Sequence, residues 1–534
     1  LKGGLQMNKK RFLLIIISLF LLVLTACAKN EKNTAYKSAE AEEKPVDYKI
    51  NKIVLSKAFQ ITDANVDIIK KGANLKLLVN AGIVESSGIN IDKITMTGNS
   101  LNIYLARKME ENKIQLAIPQ ITLEIDEKIK SDPKNIKFNI IPLNYEPISI
   151  KFNKNQILDK ICTELKIEPT SLPEIELCKE DDNILWNVHF PFMLNKENSK
   201  SSLFNLYVKA DATTGKILET EKYNISTYLD QGHLLDYMPN ELLIYKQENT
   251  EKNTTYESLW SYDLNSGNKK KLYTTTSKIS SALVSPSGRY ISVIEKDQSK
   301  SDIFLIDRIK NVALKITPIN YLNPTMMKWK DKDNLYFIDV SKKNTTLLLY
   351  NVDENLANKV LDLNKIIESF DIYNDKIIFA EHDEYSINMN IYLMENKDNP
   401  KLIGSGFKPM VFNNKYIIYL ENIEDKNKNI LKVYNTEKNS ITDTLDYNIL
   451  NYYKLDDNNL LFVENLNLNN QFNFGKYNVN DNTSTIISQI NSDKLFYNPE
   501  KKTAYISLTI PSKEKNIYNI YSIDLTRMDL NRAN

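Results

Sequence analysis

Between about Leu234 and Leu530 one pattern recurs seven times, and any fold for this chain must accommodate it. Each unit is a turn, a short apolar strand, a polar gap, a second strand and a charged exit. The second strands are clearest: Leu242 to Tyr245, Tyr290 to Ile294, Leu335 to Ile338, Ile377 to Ala380, Tyr416 to Leu420, Leu460 to Val463 and Ala504 to Leu508. They return every 40 to 48 residues or so, roughly the period of a four-stranded propeller blade, a unit that cannot bury its apolar face without a neighbour. The pattern predicts a C-terminal β-propeller over residues 223–530, with seven blades and with six or eight left open. The seventh unit ends after Leu525 without a fourth strand. A strand from near Tyr223 to Leu229 is expected to complete that blade and close the ring.

A chain of 534 residues is too long for one core. At its start, Met7 is followed by Lys9-Lys10-Arg11, an apolar run from Phe12 to Leu24, and Leu24-Thr25-Ala26-Cys27. A basic region, a short apolar segment and small residues predict an export signal over residues 7–26. The last four residues resemble a bacterial lipobox. By that resemblance Cys27 would become the mature N-terminus carrying a diacylglycerol thioether, and the protein would sit on the outer face of the bacterial cell membrane. The six residues before Met7 are expected to be untranslated. Residues 27–46 are mostly Ala, Glu, Lys and Asn, a composition expected of a flexible tether.

Over residues 47–152 apolar side chains alternate with period two, as in Leu75-x-Leu77-x-Val79, Leu101-x-Ile103-x-Leu105 and Ile148-x-Ile150-x-Phe152. This predicts half-buried strands in an antiparallel, β-sandwich-like domain. Over residues 153–222 the period changes. Asn153-x-x-Gln156 forms a capping box ahead of Ile157, Leu158, Ile161, Cys162 and Leu165 on one helical face. Strands follow, one with Trp186, Val188, Phe190 and Phe192 on a single side and His189 on the other. Cys162 and Cys178 are expected to be near neighbours or buried thiols, and export leaves a disulfide between them open.

The helix, the Trp186-x-Val188 strand and the closing Asp211-Ala212-Thr213-Thr214-Gly215 turn resemble a PepSY domain, a small α+β unit associated with control of peptidases outside the cytoplasm. In the repeats, Ser285-Pro286-Ser287-Gly288 and the third strands ending at Asp263 and Asp307 resemble TolB-like or WD40-like propellers. Further third strands end at Asn351, Asn435, Asn478 and Asp524. An Asx at that place can cap the hairpin by accepting from the backbone ahead of it. The whole is thus expected to be mainly β: sandwich-like, PepSY-like and propeller domains in turn.

Sixty-nine basic residues face 68 acidic ones. A balance this even gives no reason to expect a nucleic-acid partner. His189, His233 and His382 lie in different units, and Gly404-Ser405-Gly406 does not fit a nucleophile elbow. Asp263-x-Asn265-x-Gly267 lacks the remaining ligands of a calcium loop. No catalytic residue, cofactor or metal ligand is assigned. The expected function is a non-catalytic, lipid-anchored propeller scaffold binding a protein or glycan partner, through links between second and third strands such as Gln247 to Glu257, Glu421 to Asn429 and Asn465 to Asn470. Regulation or inhibition of an extracytoplasmic peptidase through the PepSY-like unit is the first alternative. A propeller hydrolase or lyase is the second.

Overall fold

A computed structural model describes residues 42–527 apart from 71–74, 126–134, 196–197, 199, 253, 299, 318–323, 342–343, 397, 469–470 and 511–515. The chain is mainly β and forms two compact units, Leu1–Ser149 and Ile150–Asn534.

The first unit is a sandwich. One sheet runs Lys44–Pro45, Gly88–Thr97, Ser100–Lys108, Lys137–Pro142; the other runs Tyr48–Lys57, Gln115–Ile125, Leu75–Asn80, Asn65–Lys70, with Val84–Ser86 also on Gln115–Ile125. Alternation turns Leu77, Val79, Ile121 and Leu123 of one sheet and Ile94, Leu101, Ile103 and Leu105 of the other into a single core. Three features depart from expectation. Ser100–Lys108 and Lys137–Pro142 pair in parallel, because the chain crosses to the other sheet as Gln115–Ile125 before returning. The folded part already includes residues expected in the tether: Val46 is in the core, and Glu43 accepts from Thr95 (2.6 Å) and Tyr104 (2.7 Å). The strand expected from Ile148 to Phe152 shrinks to one bridge with Ile83, since the amides of Lys151 and Phe152 both donate to the Ala212 carbonyl.

The second unit opens with the helix Lys154–Leu165, whose capping box forms as its sequence demands: Asn153 Oδ1 accepts from the Gln156 amide, and the Gln156 side chain accepts from the Asn153 amide. Glu174–Glu180, Asn183–Met193, Phe204–Asp211 and Ile217–Asn224 make an antiparallel sheet. Between the last two, Asp211 Oδ1 accepts from the amides of Thr213 (2.9 Å) and Thr214 (2.6 Å), which fixes the turn. Gly215 follows at φ +68°, where a Cβ would meet the Phe152 ring at 2.8 Å. Phe192 does not continue the Trp186 face. A bulge between Phe190 and Met193, at Pro191, breaks the alternation. Phe192 then joins Leu203 and Ile225 in one core cluster with Leu461, Phe474, Leu495, Ile506 and Tyr521 of the propeller.

Among the described residues the propeller has seven antiparallel four-stranded blades. Blade 1 is His233–Met238, Leu242–Glu251, Thr254–Asp263 and Lys269–Thr275; blades 2 and 3 run from Lys278–Val284 to Val312–Lys315 and from Pro324–Trp329 to Leu356–Leu363. Blade 4 runs from Ile367–Tyr373 to Lys401–Val411, a strand long enough to serve also as the first of blade 5, which ends at Ser440–Leu445. Blade 6 runs from Ile449–Lys454 to Thr483–Ile490. Blade 7 is Leu495–Asn498, Thr503–Ile510 and Ile517–Asp524, and its fourth strand is Ser226–Gln231 from the other end of the propeller. That strand closes the ring and covers the outer edge of Ile517–Asp524. The first strands of blades 1 to 6 each carry a register shift, which increases the twist a blade needs.

Third-strand Asx residues cap their turns. Asp263, Asp307, Asn351, Asn435, Asn478 and Asp524 each accept through Oδ1 from an amide two or three residues ahead, at 2.8–3.1 Å. Asp331 and Asp456 cap the turns between first and second strands in the same way.

Candidate ligand-binding face

In an up-and-down blade the links between second and third strands, and those from one blade to the next, emerge at one face. The other turns emerge at the opposite face. The three long links expected to be loops are hairpin extensions instead. In blade 1 the ladder continues to Glu251 opposite Thr254, in blade 5 to Ile423 opposite Lys428, and in blade 6 to Leu468 opposite Gln471. Polar side chains do not break a ladder whose backbone groups pair, so composition misled where cross-strand geometry decides. These hairpins project from the linking face as structured ribs.

The same face holds a cavity of about 500 Å³ at the seam between blades 7 and 1, walled by Tyr228, Asp230, His233, Lys246, Glu257 and Tyr518. Its backbone turns on Gly232, at φ +153°, where a Cβ would lie 2.6 Å from the Tyr245 ring and 2.8 Å from the Lys246 carbonyl oxygen. The Gly232 amide donates to the Tyr518 carbonyl at 2.7 Å. Asp230 accepts from the Tyr245 hydroxyl (2.5 Å) and pairs with Lys269 (3.0 Å). Lys246 gives its three protons to both Glu257 oxygens, at 3.0 and 3.1 Å, and to the Ile279 carbonyl at 2.7 Å. The charged groups are thereby occupied in holding blades 7, 1 and 2 together. Burial, then the Lys494 and Lys246 ammoniums, lower the His233 pKa, which favours a neutral ring against the edge of Tyr518. Burial pushes the Tyr228 phenol up to about 12.

Cys27 lies outside the described residues. Cys162 and Cys178 are free thiols in the structure. Register puts Cys178 on the sheet face with Asn187, whose amide it accepts at 3.1 Å, while the opposite face carries Trp186. The Trp186 indole bonds the Phe152 carbonyl just ahead of the helix bearing Cys162, so the helix lies against that opposite face. His189 stacks on Tyr207 at 4.3 Å and contacts Glu174 at 3.2 Å. His382 contacts Glu368 at 3.0 Å. Gly404 and Gly406 are needed where the blade 4 to 5 strand crosses Tyr419 and Leu420, which a Cβ would strike. Asp263 caps its hairpin, and among the described residues no three His, Cys, Asp or Glu side chains gather as metal ligands.

One feature of this face escaped the sequence. The blade 4 link carries Tyr385, 95% exposed, and Ile387, 59% exposed.

No family model matches the sequence, and no curated protein matches it. Solved structures similar to it include oligogalacturonate lyase from Vibrio parahaemolyticus, at 9% identity over 60% of this chain and 96% of that one, with a TM-score of 0.44. The β-propeller domain of the Trilobed protease from Pyrococcus furiosus is similar at 14% identity over 55% and 96%, with a TM-score of 0.42. TolB from Acinetobacter baumannii is similar at 11% identity over 72% and 87%, with a TM-score of 0.31. Likeness at this level carries neither an activity nor a ligand over to this chain.

Proposed function

We propose that this chain is a membrane-anchored extracytoplasmic lipoprotein whose propeller is a non-catalytic scaffold that binds a protein partner through the hairpin face. The observation that carries the binding assignment is the prolonged ladder of blades 1, 5 and 6, which builds rigid ribs on one face while the opposite face ends in tight, Asx-capped turns. Rigid ribs present side chains with little ordering cost on binding. Their Asn, Lys and Glu content suits a polar protein surface better than a sugar, which favours stacked aromatics. The anchor rests on the basic and apolar leader and on Cys27. One acyl chain holds a protein marginally, and two hold it stably. The PepSY-like unit is assigned the role of bracing blades 6 and 7 through Phe192 and Leu203.

Two experiments test this. Cys27→Ala should abolish acyl labelling, and retained labelling would remove the lipoprotein assignment. Capture from membranes should fail when the hairpins at 247–257, 421–429 and 465–470 are shortened, with the thermal transition unchanged. It should survive removal of residues 49–149. The reverse pattern would place the binding site in the N-terminal unit.

A further inference from the structure

The second-to-third-strand link of blade 4 is not a ladder but a seven-residue loop, His382 to Asn388, fastened at both ends. The His382 amide donates to the Ile366 carbonyl at 2.7 Å, and its ring contacts Glu368. At the far end Asn388 and Asn422 of blade 5 exchange bonds: Asn388 Nδ2 donates to the Asn422 carbonyl at 2.8 Å, and the Asn422 amide donates to Asn388 Oδ1 at 2.7 Å. The chain of amides continues from Asn422 to Asn429 at 2.7 Å and from Asn429 to Asn448, in the link just ahead of blade 6, at 3.1 Å. Within the loop, Asp383 Oδ1 accepts from the Tyr385 amide at 2.9 Å, and Ser386 Oγ accepts from the Asn388 amide at 3.1 Å.

This bonding holds the backbone in place, yet its product is the exposure of two large apolar side chains. Tyrosine is enriched among residues that dominate protein contacts, and a fixed backbone spares the entropy of ordering it. The loop holds Asp383 and Glu384 and no lysine or arginine; beside it Glu381 pairs with Lys365 at 2.7 Å and Glu368 contacts the His382 ring, so the acidic flank is that of Asp383 and Glu384. Such a flank is repelled by an anionic bilayer and attracted to a basic rim. We infer that Tyr385 and Ile387 are the apolar anchor of a protein contact, and that the partner presents an apolar pocket rimmed by lysine or arginine. This rests on the reading of the hairpin face as protein-binding.

The test uses the full chain in the cells that make it, with a photoreactive benzophenone amino acid in place of Tyr385, Lys426 or Ile309. Lys426 lies on the blade 5 hairpin and Ile309 on a turn of the opposite face. Irradiation should join position 385 to a protein and leave position 309 free. With that protein purified, Tyr385→Ala should weaken binding at least about tenfold. Glu384→Lys should weaken it several-fold at low salt and less at high salt, both variants keeping the parent thermal transition. A protein adduct at 426 with none at 385, or unchanged affinity in Tyr385→Ala, overturns the anchor and leaves the function standing. Absence of protein adducts at both 385 and 426 overturns both. A lipid adduct at 385 assigns the loop to the membrane and overturns the inference.

Discussion

The Phe192 amide donates to Asn205 Oδ1 at 3.2 Å, and this bond helps hold a phenylalanine in the left-handed region at φ +54°. Thr170 Oγ1 fixes the peptide unit on the other side of the same Cα by donating to the Phe192 carbonyl at 2.8 Å. A bulky residue in that region stores about 1–3 kcal/mol of strain, which persists only where the surroundings impose it. Here the return is a side chain, 2% exposed, set into the core of blades 6 and 7.

The helix-and-sheet segment and the propeller should therefore unfold together. Phe192→Ala should cost about 3–5 kcal/mol and Asn205→Ala about 1–3 kcal/mol, read from urea midpoints. Phe192→Gly should cost less than Phe192→Ala despite its smaller side chain, because alanine must still adopt positive φ. The opposite order would show that the backbone at Phe192 is not under strain.

At the ring closure, Gly232→Ala puts a methyl group against the Tyr245 ring and the Lys246 carbonyl. Asp230→Ala leaves the Tyr245 hydroxyl without its acceptor. We expect a loss of about 1–3 kcal/mol for Asp230→Ala, and more for Gly232→Ala, where the backbone itself must move. Hydrogen exchange should quicken first in Ser226–Gln231 and Ile517–Asp524. Quickening in blade 3 instead would disprove the latch.

Burial lifts the Asp236 carboxyl from 3.8 to about 6, against the pull of the Val284 amide that donates to it at 2.6 Å. The folded state thus prefers the protonated acid. Its contribution to stability is complete below about pH 4 and is lost as pH rises through about 6, a change of about 3 kcal/mol. Asp236→Asn should then be more stable than the parent at about pH 8 and no more stable at about pH 4. Carboxyls with lowered pKa values, Asp211, Asp263 and Asp307 among them, titrate the other way but cancel between the two proteins. An equal difference at both pH values would contradict the assignment.

Burial raises the Cys162 thiol pKa and lifts that of Cys178 to about 11, with nearby carboxylates adding to each. Both should alkylate slowly in the native protein, since the thiolate is the reactive form. After unfolding without reductant, intact mass should show both modified. Two unmodified cysteines would mean a disulfide.

Much of the fold was legible because its signals are local. Runs such as Ile377 to Ala380 mark second strands, and Asx residues such as Asn435 and Asn478 mark the turns they cap. The closing strand could be inferred from a seventh unit one strand short. What escaped depends on register or on distant chain. Strict alternation puts Phe192 on the Trp186 face, but Pro191 interrupts it at the bulge between Phe190 and Met193. Thr254 to Glu257 looked like loop, since nothing local shows that its amides have partners across the hairpin. The seam cavity is assembled from residues near 230, 246 and 518, and Tyr385 is one aromatic in a polar loop until its exposure is seen.

Hydrogen exchange on the full chain, alone and with the protein it captures from membranes, tests the binding face most directly. Protection should fall on the hairpins at 247–257 and 421–429 and on the loop at 382–388, leaving the turns at 285–289 and 307–311 unchanged. Protection confined to those turns, or to residues 49–149, would contradict the account.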